Sequence, residues 1–223
     1  MILVTGATGN VGYPLLENLD DAGVPATAMV GQENGGWPLV TNQLNHERVA
    51  LTSSAPLALA VRQTVEWAGK TKTGDSSRLI DKEWVQLNLA RVHAKVEYLK
   101  LLNWEIAARA DSGGSRVGSN TGGSRAGSNM GGDAAPRPWH ASTCKVYGTE
   151  LATEAYRLLM EVLGPQAYLR QDSPGAELRG RLERMHRACL ILTFGGGTNE
   201  VQRDIIAMTA LQQPAAVRRN SES

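Results

Sequence analysis

The 223-residue chain contains few aromatic residues and few cysteines, and its charges almost balance. Aromatic residues make up 5% of it, with a single phenylalanine, although the hydrophobic fraction of 42% is ordinary for a globular protein. Cys144 and Cys189 lack metal-ligand spacing, so we expect no cysteine-based metal site and two reduced, buried thiols. A net charge of +1 gives no electrostatic basis for binding nucleic acid or an anionic membrane.

Long apolar runs are also absent from the sequence. No stretch approaches the roughly 18 apolar residues that a membrane span requires. The N-terminus has no basic region followed by a long apolar core, which a secretory signal would show. We therefore expect a soluble, cytoplasmic protein with no metal site and no membrane or nucleic-acid partner.

The first residues carry a glycine pattern typical of nucleotide-binding turns. A β-branched run over residues 1–5 precedes Gly6, Gly9 and Gly12, and residues 11–19 have helical character. Such glycines let the backbone approach a pyrophosphate at a helix N-terminus. This start resembles the NmrA-like and other atypical short-chain dehydrogenases, which implies NAD(P) binding. However, no later β–α alternation follows, and a lone parallel pair of strands cannot form a doubly buried sheet. Residues 1–22 are therefore predicted to be a Rossmann-like βα stub.

The rest of the chain has helical periodicity. Residues 37 to about 68 are predicted to form one helix, with Pro38 in its first turn, and residues 69–77 a polar turn. A second helix follows Asp81, and a third runs from His140 to Leu163. Apolar residues recur in both at steps of three and four, the pattern of helices packed in a bundle. They are Val85, Leu89, Val92, Val96, Leu99 and Ile106 in the second helix, and Ala141, Cys144, Leu151, Ala155, Leu158 and Val162 in the third.

The remaining segments are shorter. Helices are predicted at 174–192 and 198–211, which completes a four-helix-type bundle over residues 37–211. Residues 113–121 repeat almost unchanged as 122–130, and their glycine and serine content cannot bury a core. We expect residues 112–137 to be a flexible insertion within the bundle and residues 212–223 to be a disordered tail.

Two separated motifs resemble the acyl-CoA dehydrogenases. One is Gly197-Thr198-Asn199-Glu200-Val201-Gln202-Arg203 at the start of the last helix, similar to the flavin-site signature of that family. The other is the stretch 34–51, which resembles the first long helix of the family's C-terminal bundle. Residues 23–36 are similar to the end of its middle β-domain, so the resemblance covers about 20–210. It implies a mainly α fold, an acyl-CoA dehydrogenase-like C-terminal four-helix bundle behind the short βα stub.

The resemblance also implies a reaction. Members of the family remove the α-proton of an acyl-CoA thioester while the β-hydrogen leaves as hydride to N5 of FAD. This reaction takes part in fatty-acid β-oxidation, lipid metabolism and steroid side-chain degradation. Its usual base position is Gly196 here, which has no carboxylate. Some members carry the base before an arginine on the first bundle helix, which matches Glu47 and Arg48. The resemblance thus implies Glu47 as base, the Gly196 N–H as a donor to the thioester carbonyl, and Arg48 as a CoA contact. From periodicity alone, Glu47 is a helix-surface carboxylate.

For FAD, the resemblance points to Gln86, Thr198 and Glu200. Thr198 has a second interpretation, as the cap of the last helix. Two family features are missing: residues 74–78 replace an Arg-x-x-Phe-Gly run, and residues 164–166 a longer glycine loop. Both departures resemble actinobacterial steroid-side-chain enzymes that work as heteromeric assemblies. We expect a homo- or hetero-oligomer with another acyl-CoA dehydrogenase subunit. This sequence has no counterpart of most of the family's first two domains, so we expect the chain to be an incomplete enzyme by itself. The alternatives are a non-catalytic helical oligomerisation module and, less favoured, an NAD(P)-binding NmrA-like protein.

Overall fold

The computed structural model describes residues 35–114 and 137–214. The chain divides into two compact units, residues 1–47 and residues 48–223. The predicted βα stub, most of the connector, most of the repeat insertion and most of the tail lie outside the described residues, so the predictions for those segments stay predictions.

Six α-helices make up most of the described chain. They are α1 (Gly36–Ala50), α2 (Ala55–Lys70), α3 (Glu83–Gly114), α4 (Pro138–Leu163), α5 (Arg181–Cys189) and α6 (Asn199–Thr209). Within residues 35–114 and 137–214 there is no strand, only an isolated bridge between Lys72 and Arg78. The mainly α fold is confirmed. In the same residues, no helix is both long enough and apolar enough to cross a membrane.

The prediction of one helix over residues 37 to about 68 is wrong. The helix ends at Ala50 and a new one begins at Ala55. Pro56 lies in the first turn of α2, where its missing N–H costs nothing, whereas within a continuous helix its ring would clash with the preceding turn. Thr52 completes the break because its Oγ1 donates to the carbonyl oxygen of Arg48 at 3.0 Å.

The core lies where α2, α3 and α4 pack together, and α4 also packs against α5 and α6. All twelve apolar positions predicted in the stripes of α3 and α4 are buried. Burying each valine, leucine or isoleucine side chain stabilises the fold by about 1.5–3 kcal/mol. Cys144 and Cys189 are free thiols and both are buried, as expected. Burial raises the pKa of both thiols.

The last two helices are shorter than predicted. The segment predicted as 174–192 forms α5 between two 3₁₀ turns, Glu177–Gly180 and Leu190–Thr193. The segment predicted as 198–211 forms α6, which ends at Thr209. The turn of residues 194–198 joins them, and α4 packs beneath both helices. The glycine-rich motif is thereby held on the surface of the bundle.

Candidate functional site

The glycine motif forms a tight turn between Leu190–Thr193 and α6. The N–H of Gly195 donates to the carbonyl of Ile191 at 2.9 Å, and the N–H of Gly197 donates to the carbonyl of Phe194 at 3.1 Å. Gly196 and Gly197 have φ angles of +71° and +99°, a region that residues with a Cβ rarely adopt. Glycine at 196 and 197 therefore avoids backbone strain in this turn.

Two buried side chains fix the middle peptide of the turn. Arg48 Nε donates to the Gly196 carbonyl oxygen at 3.0 Å, and Gln202 Nε2 donates to the same oxygen at 3.2 Å. Arg48 is 7% exposed and Gln202 is fully buried. In contrast, the N–H of Gly196 donates to no acceptor within the described parts of the chain. The turn thus presents two backbone donors that the described part of its own fold does not use, the N–H groups of Gly196 and Thr198.

Thr198 caps α6. Its Oγ1 accepts a hydrogen bond from the N–H of Val201 at 3.3 Å, so the capping interpretation of this residue is confirmed. Glu200 lies exposed in the first turn of α6, where hydrogen bonding to its own N–H and to Thr198 lowers the pKa of its carboxyl. A carboxylate there is also favoured by the helix dipole.

A cleft of about 540 Å³ lies beside this capped helix end. One wall comes from α4 and the other from the turn and the start of α6. Its lining residues are Glu150, Thr153, Glu154, Arg157, Thr193, Phe194, Thr198, Asn199 and Glu200. Phe194 is 60% exposed and supplies an aromatic surface next to these polar groups. The cleft therefore combines an exposed aromatic side chain with several hydrogen-bonding groups.

The structure brings together four of the six predicted site residues, all within the unit of residues 48–223. Arg48 contacts Gly196 directly, and Thr198 and Glu200 follow two and four residues later. Gln86 lies exposed in the first turn of α3, and no hydrogen bond or ion pair among residues 35–114 and 137–214 joins it to the turn. Glu47 is the last residue of the first unit, and its side chain is exposed.

Sequence reasoning missed the polar residues of α4 that support the turn. Ser142 Oγ donates to Gln202 Oε1 at 2.9 Å, and Lys145 Nζ donates to the Thr193 carbonyl at 2.9 Å and to Asn199 Oδ1 at 2.6 Å. The signal was available: Ser142, Lys145 and Thr149 recur at steps of three and four, a polar stripe on a helix predicted to be buried. No group of three or more acidic, histidine or cysteine side chains that could hold a metal occurs in the described ranges.

Comparison with known proteins identifies the family. The family profile described as "Acyl-CoA dehydrogenase, C-terminal domain" matches residues 34–211. The chain belongs to the acyl-CoA dehydrogenase family. Within that family it is 63% identical over 198 residues to acyl-CoA dehydrogenase FadE26 of Mycobacterium tuberculosis, a match that covers 89% of this chain and 45% of that protein. It is 34% identical over 199 residues to acyl-CoA dehydrogenase FadE29 of the same organism, again covering 89% and 45%.

Solved structures agree with this assignment. The ChsE4-ChsE5 complex from Mycobacterium tuberculosis matches this acyl-CoA dehydrogenase domain with a TM-score of 0.71 and 63% identity, covering 86% of this chain and 44% of the matched one. The Tcur3481-Tcur3483 steroid acyl-CoA dehydrogenase matches with a TM-score of 0.70 and 33% identity, covering 86% and 44%. The chain therefore spans less than half the length of the relatives it matches.

Proposed function

We propose that this chain contributes the C-terminal helical part of an FAD-dependent acyl-CoA dehydrogenase, which forms a double bond between the α and β carbons of an acyl-CoA thioester. The observation that carries the proposal is the surroundings of Gly196. Two buried donors hold the carbonyl of the Gly196–Gly197 peptide, and the N–H of the preceding peptide, at Gly196, has no acceptor among the described residues. An unused N–H next to this anchored peptide, at the position where the family resemblance places the thioester carbonyl, suits the negative charge that develops on that oxygen.

The chain's own groups divide the work. Glu47 acts as the general base that takes the α-proton, as the family resemblance implies for a carboxylate directly before Arg48. The Gly196 N–H donates to the thioester oxygen as enolate charge develops there. Arg48 contacts the CoA moiety and in addition holds the Gly196 carbonyl. This division explains how a chain with glycine at the usual base position retains the chemistry.

Two observations favour FAD as the cofactor. The cleft beside Thr198 offers an aromatic side chain together with polar groups, and α6 begins at its edge with N–H groups directed outward from the helix end. We assign Thr198 and Glu200 to the flavin, and Gln86 to the flavin of a neighbouring subunit. When bound, FAD supplies the hydride acceptor for the β-hydrogen.

The proposed partner is another acyl-CoA dehydrogenase subunit, and the proposed substrate class is the CoA thioester of a steroid side chain. Support comes from the relatives: one solved neighbour is a ChsE4-ChsE5 complex and the other is a two-component steroid acyl-CoA dehydrogenase. The exposed face of α3 agrees with a partner. It carries large apolar side chains, as interaction surfaces commonly do. They are Trp84, Leu87, Tyr98, Leu101 and Trp104, all at least 48% exposed.

The test is flavin reduction by acyl-CoA in the full chain, alone and co-expressed with a companion subunit. We expect a flavin absorbance spectrum that bleaches when a steroid-side-chain acyl-CoA is added, and butyryl-CoA serves as the straight-chain probe. Glu47→Gln should retain flavin and slow bleaching on the order of 10²- to 10⁴-fold. Glu66→Gln, a surface carboxylate paired with Lys70, is the control and should behave as wild type. Bleaching by Glu47→Gln at the wild-type rate would remove Glu47 from the mechanism.

The exposed α3 face also supports a second candidate function, a non-catalytic module that assembles other subunits. In that case the purified chain would be colourless with added FAD, yet oligomeric and cooperatively folded. Two measurements together separate the enzyme subunit from the assembly module: the flavin absorbance spectrum, and sedimentation of the wild type and of Leu101→Glu. Assembly lost in Leu101→Glu but kept in His93→Glu, without flavin in any sample, would favour the module.

A further inference from the structure

Lys145 is a buried cation that the assigned roles leave unexplained. It lies in the second turn of α4 and is 0% exposed. Its ammonium donates to the carbonyl of Thr193 and to the side-chain oxygen of Asn199. Among the described residues no carboxylate forms an ion pair with it, and Glu200 and Glu150 act on it only through longer-range attraction. Burying a charge without an ionic partner is costly, so its presence calls for a reason.

The two acceptors of Lys145 lie on opposite sides of the glycine turn. Thr193 ends the 3₁₀ turn Leu190–Thr193, and Asn199 is the first residue of α6. A cation is favoured at the carbonyl end of a helical segment, which the Thr193 oxygen represents. Because one ammonium bonds both residues, a single side chain links the two ends of the turn.

The other contacts of Asn199 make this support stiff. Its Nδ2 donates to Thr149 Oγ1 at 3.2 Å and to Glu150 Oε1 at 3.3 Å, so its amide has partners on both sides. Arg203, one turn further along α6, also donates to Glu150 Oε1, at 2.5 Å. The start of α6 is therefore bonded to α4 through several groups, and Lys145 extends this network to the far end of the turn.

Lys145 also adds positive charge to the support of the glycine turn. Burial lowers the pKa of its ammonium, and the nearby Arg48 lowers it further. Arg48 in turn holds the Gly196 carbonyl, so two cationic side chains support the turn. Charge fixed in a low-dielectric interior acts strongly on charge that develops nearby.

We propose that Lys145 is a positioning residue that holds Thr193 and Asn199, and through them aims the Gly196 N–H at the oxygen on which enolate charge develops. The proposal rests on the proposed function for the identity of that oxygen. We call the bonds from Lys145 to Thr193 and Asn199 the Lys145 clamp. It depends only on these contacts and can be tested without substrate.

The experiment compares the wild-type full chain with Lys145→Met, which keeps the length of the side chain and removes its charge and donors. Lys145→Gln is the milder second variant, which keeps one amide donor. Leu159→Ala, a fully buried position on the same helix, is the control for general loss of stability. Hydrogen exchange of peptides that cover residues 190–202 is followed by mass spectrometry, and flavin reduction is measured in the flavin-loaded complex with the companion subunit.

We expect both Lys145 variants to exchange faster over residues 190–202 than the wild type, whereas Leu159→Ala shows no selective change there. In the complex, kcat per bound flavin should fall about 10- to 100-fold while KM stays near wild type, since misplacing a group by about 1 Å can cost 10²-fold. Unchanged exchange, or a kcat that falls no more than in Leu159→Ala, overturns the proposal. If acyl-CoA does not bleach the flavin of the wild-type complex, the proposed function is refuted instead. The hydrogen-exchange result then tests the Lys145 clamp by itself.

Discussion

Gly148 on α4 lies directly against Thr52 in the turn between α1 and α2. A Cβ built on Gly148 would be 2.5 Å from Thr52 Cβ and 2.8 Å from Thr52 Cγ2. Glycine within a helix costs about 0.5–1 kcal/mol relative to alanine, so the sequence accepts this cost in return for a close approach. The approach packs Thr52 closely against α4.

We predict that Gly148→Ala lowers the free energy of unfolding by about 1–2 kcal/mol. Overpacking costs about 1–3 kcal/mol, and the better helix propensity of alanine recovers part of it. Urea unfolding followed by circular dichroism measures the difference. Gly69→Ala on α2 is the matched control, because nothing lies within 4 Å of its Cβ position. It should be neutral or raise the free energy of unfolding by up to about 1 kcal/mol, and an equal loss in both variants would contradict the packing argument.

The core of this fold was predictable because helical periodicity reports which face is buried. Val92 and Val96 on α3, and Ala155 on α4, belong to stripes identified from spacing alone, and each is at most 1% exposed. The break between α1 and α2 was missed because the apolar pattern continues through it. The local start signal, Ser54 followed by Pro56, was the better guide.

The site was only partly predictable. Thr198 and Gly196 belong to a contiguous motif that the sequence displays directly. Lys145 and Ser142 act across about 50 to 60 residues of sequence, through bonds that exist only once α4 packs beneath the turn. The local sequence does not show which residue such a side chain bonds. A polar stripe on a buried helix shows only that its residues need hydrogen-bond partners.

Asn103 provides a second prediction, because it interrupts the apolar stripe of α3. Its Oδ1 accepts from the N–H of Ser54 at 3.2 Å, and its Nδ2 donates to the carbonyl of Thr52 at 3.3 Å. Asn103→Leu restores the apolar pattern but leaves these turn groups unpaired. We expect it to lower the free energy of unfolding by roughly 1–3 kcal/mol. Asn88→Leu, whose amide contacts Glu161 on the surface, should change it by no more than about 0.5 kcal/mol.

His140 should make stability depend on pH. It is 4% exposed, its Nδ1 accepts from the N–H of Arg137 at 2.9 Å, and its Nε2 has no partner among the described residues. Burial lowers the pKa of this histidine below 6.5, and the charge of Arg109 lowers it further. As the pH falls below 6.5, the His140 imidazole is protonated in the unfolded chain but stays neutral in the folded chain. The free energy of unfolding therefore decreases until the pH reaches the pKa of His140 in the folded chain.

The measurement is the free energy of unfolding at several pH values on either side of 6.5. The wild type should lose more stability on acidification than His140→Gln, which has no imidazole to protonate. His93→Gln, an exposed histidine of α3, should retain the wild-type slope. Identical slopes in all three proteins would show that His140 accepts a proton as readily in the folded chain as in the unfolded one.

Substitution of Gly197 tests how strongly Gln202 holds the glycine turn. A Cβ at this position would lie 2.6 Å from Gln202 Nε2, the donor that bonds the Gly196 carbonyl, and φ is +99°. Gly197→Ala therefore carries two penalties, backbone strain of about 1–3 kcal/mol and displacement of Gln202. Gly164→Ala is the matched control, since its φ is +70° but its Cβ would meet only Gln166 Oε1, at 3.9 Å. In urea unfolding, Gly197→Ala should lose more stability than Gly164→Ala, and hydrogen exchange should rise over residues 194–202. Equal losses without a change in exchange would mean that Gln202 moves aside freely and that Arg48 alone is sufficient to hold the Gly196 carbonyl.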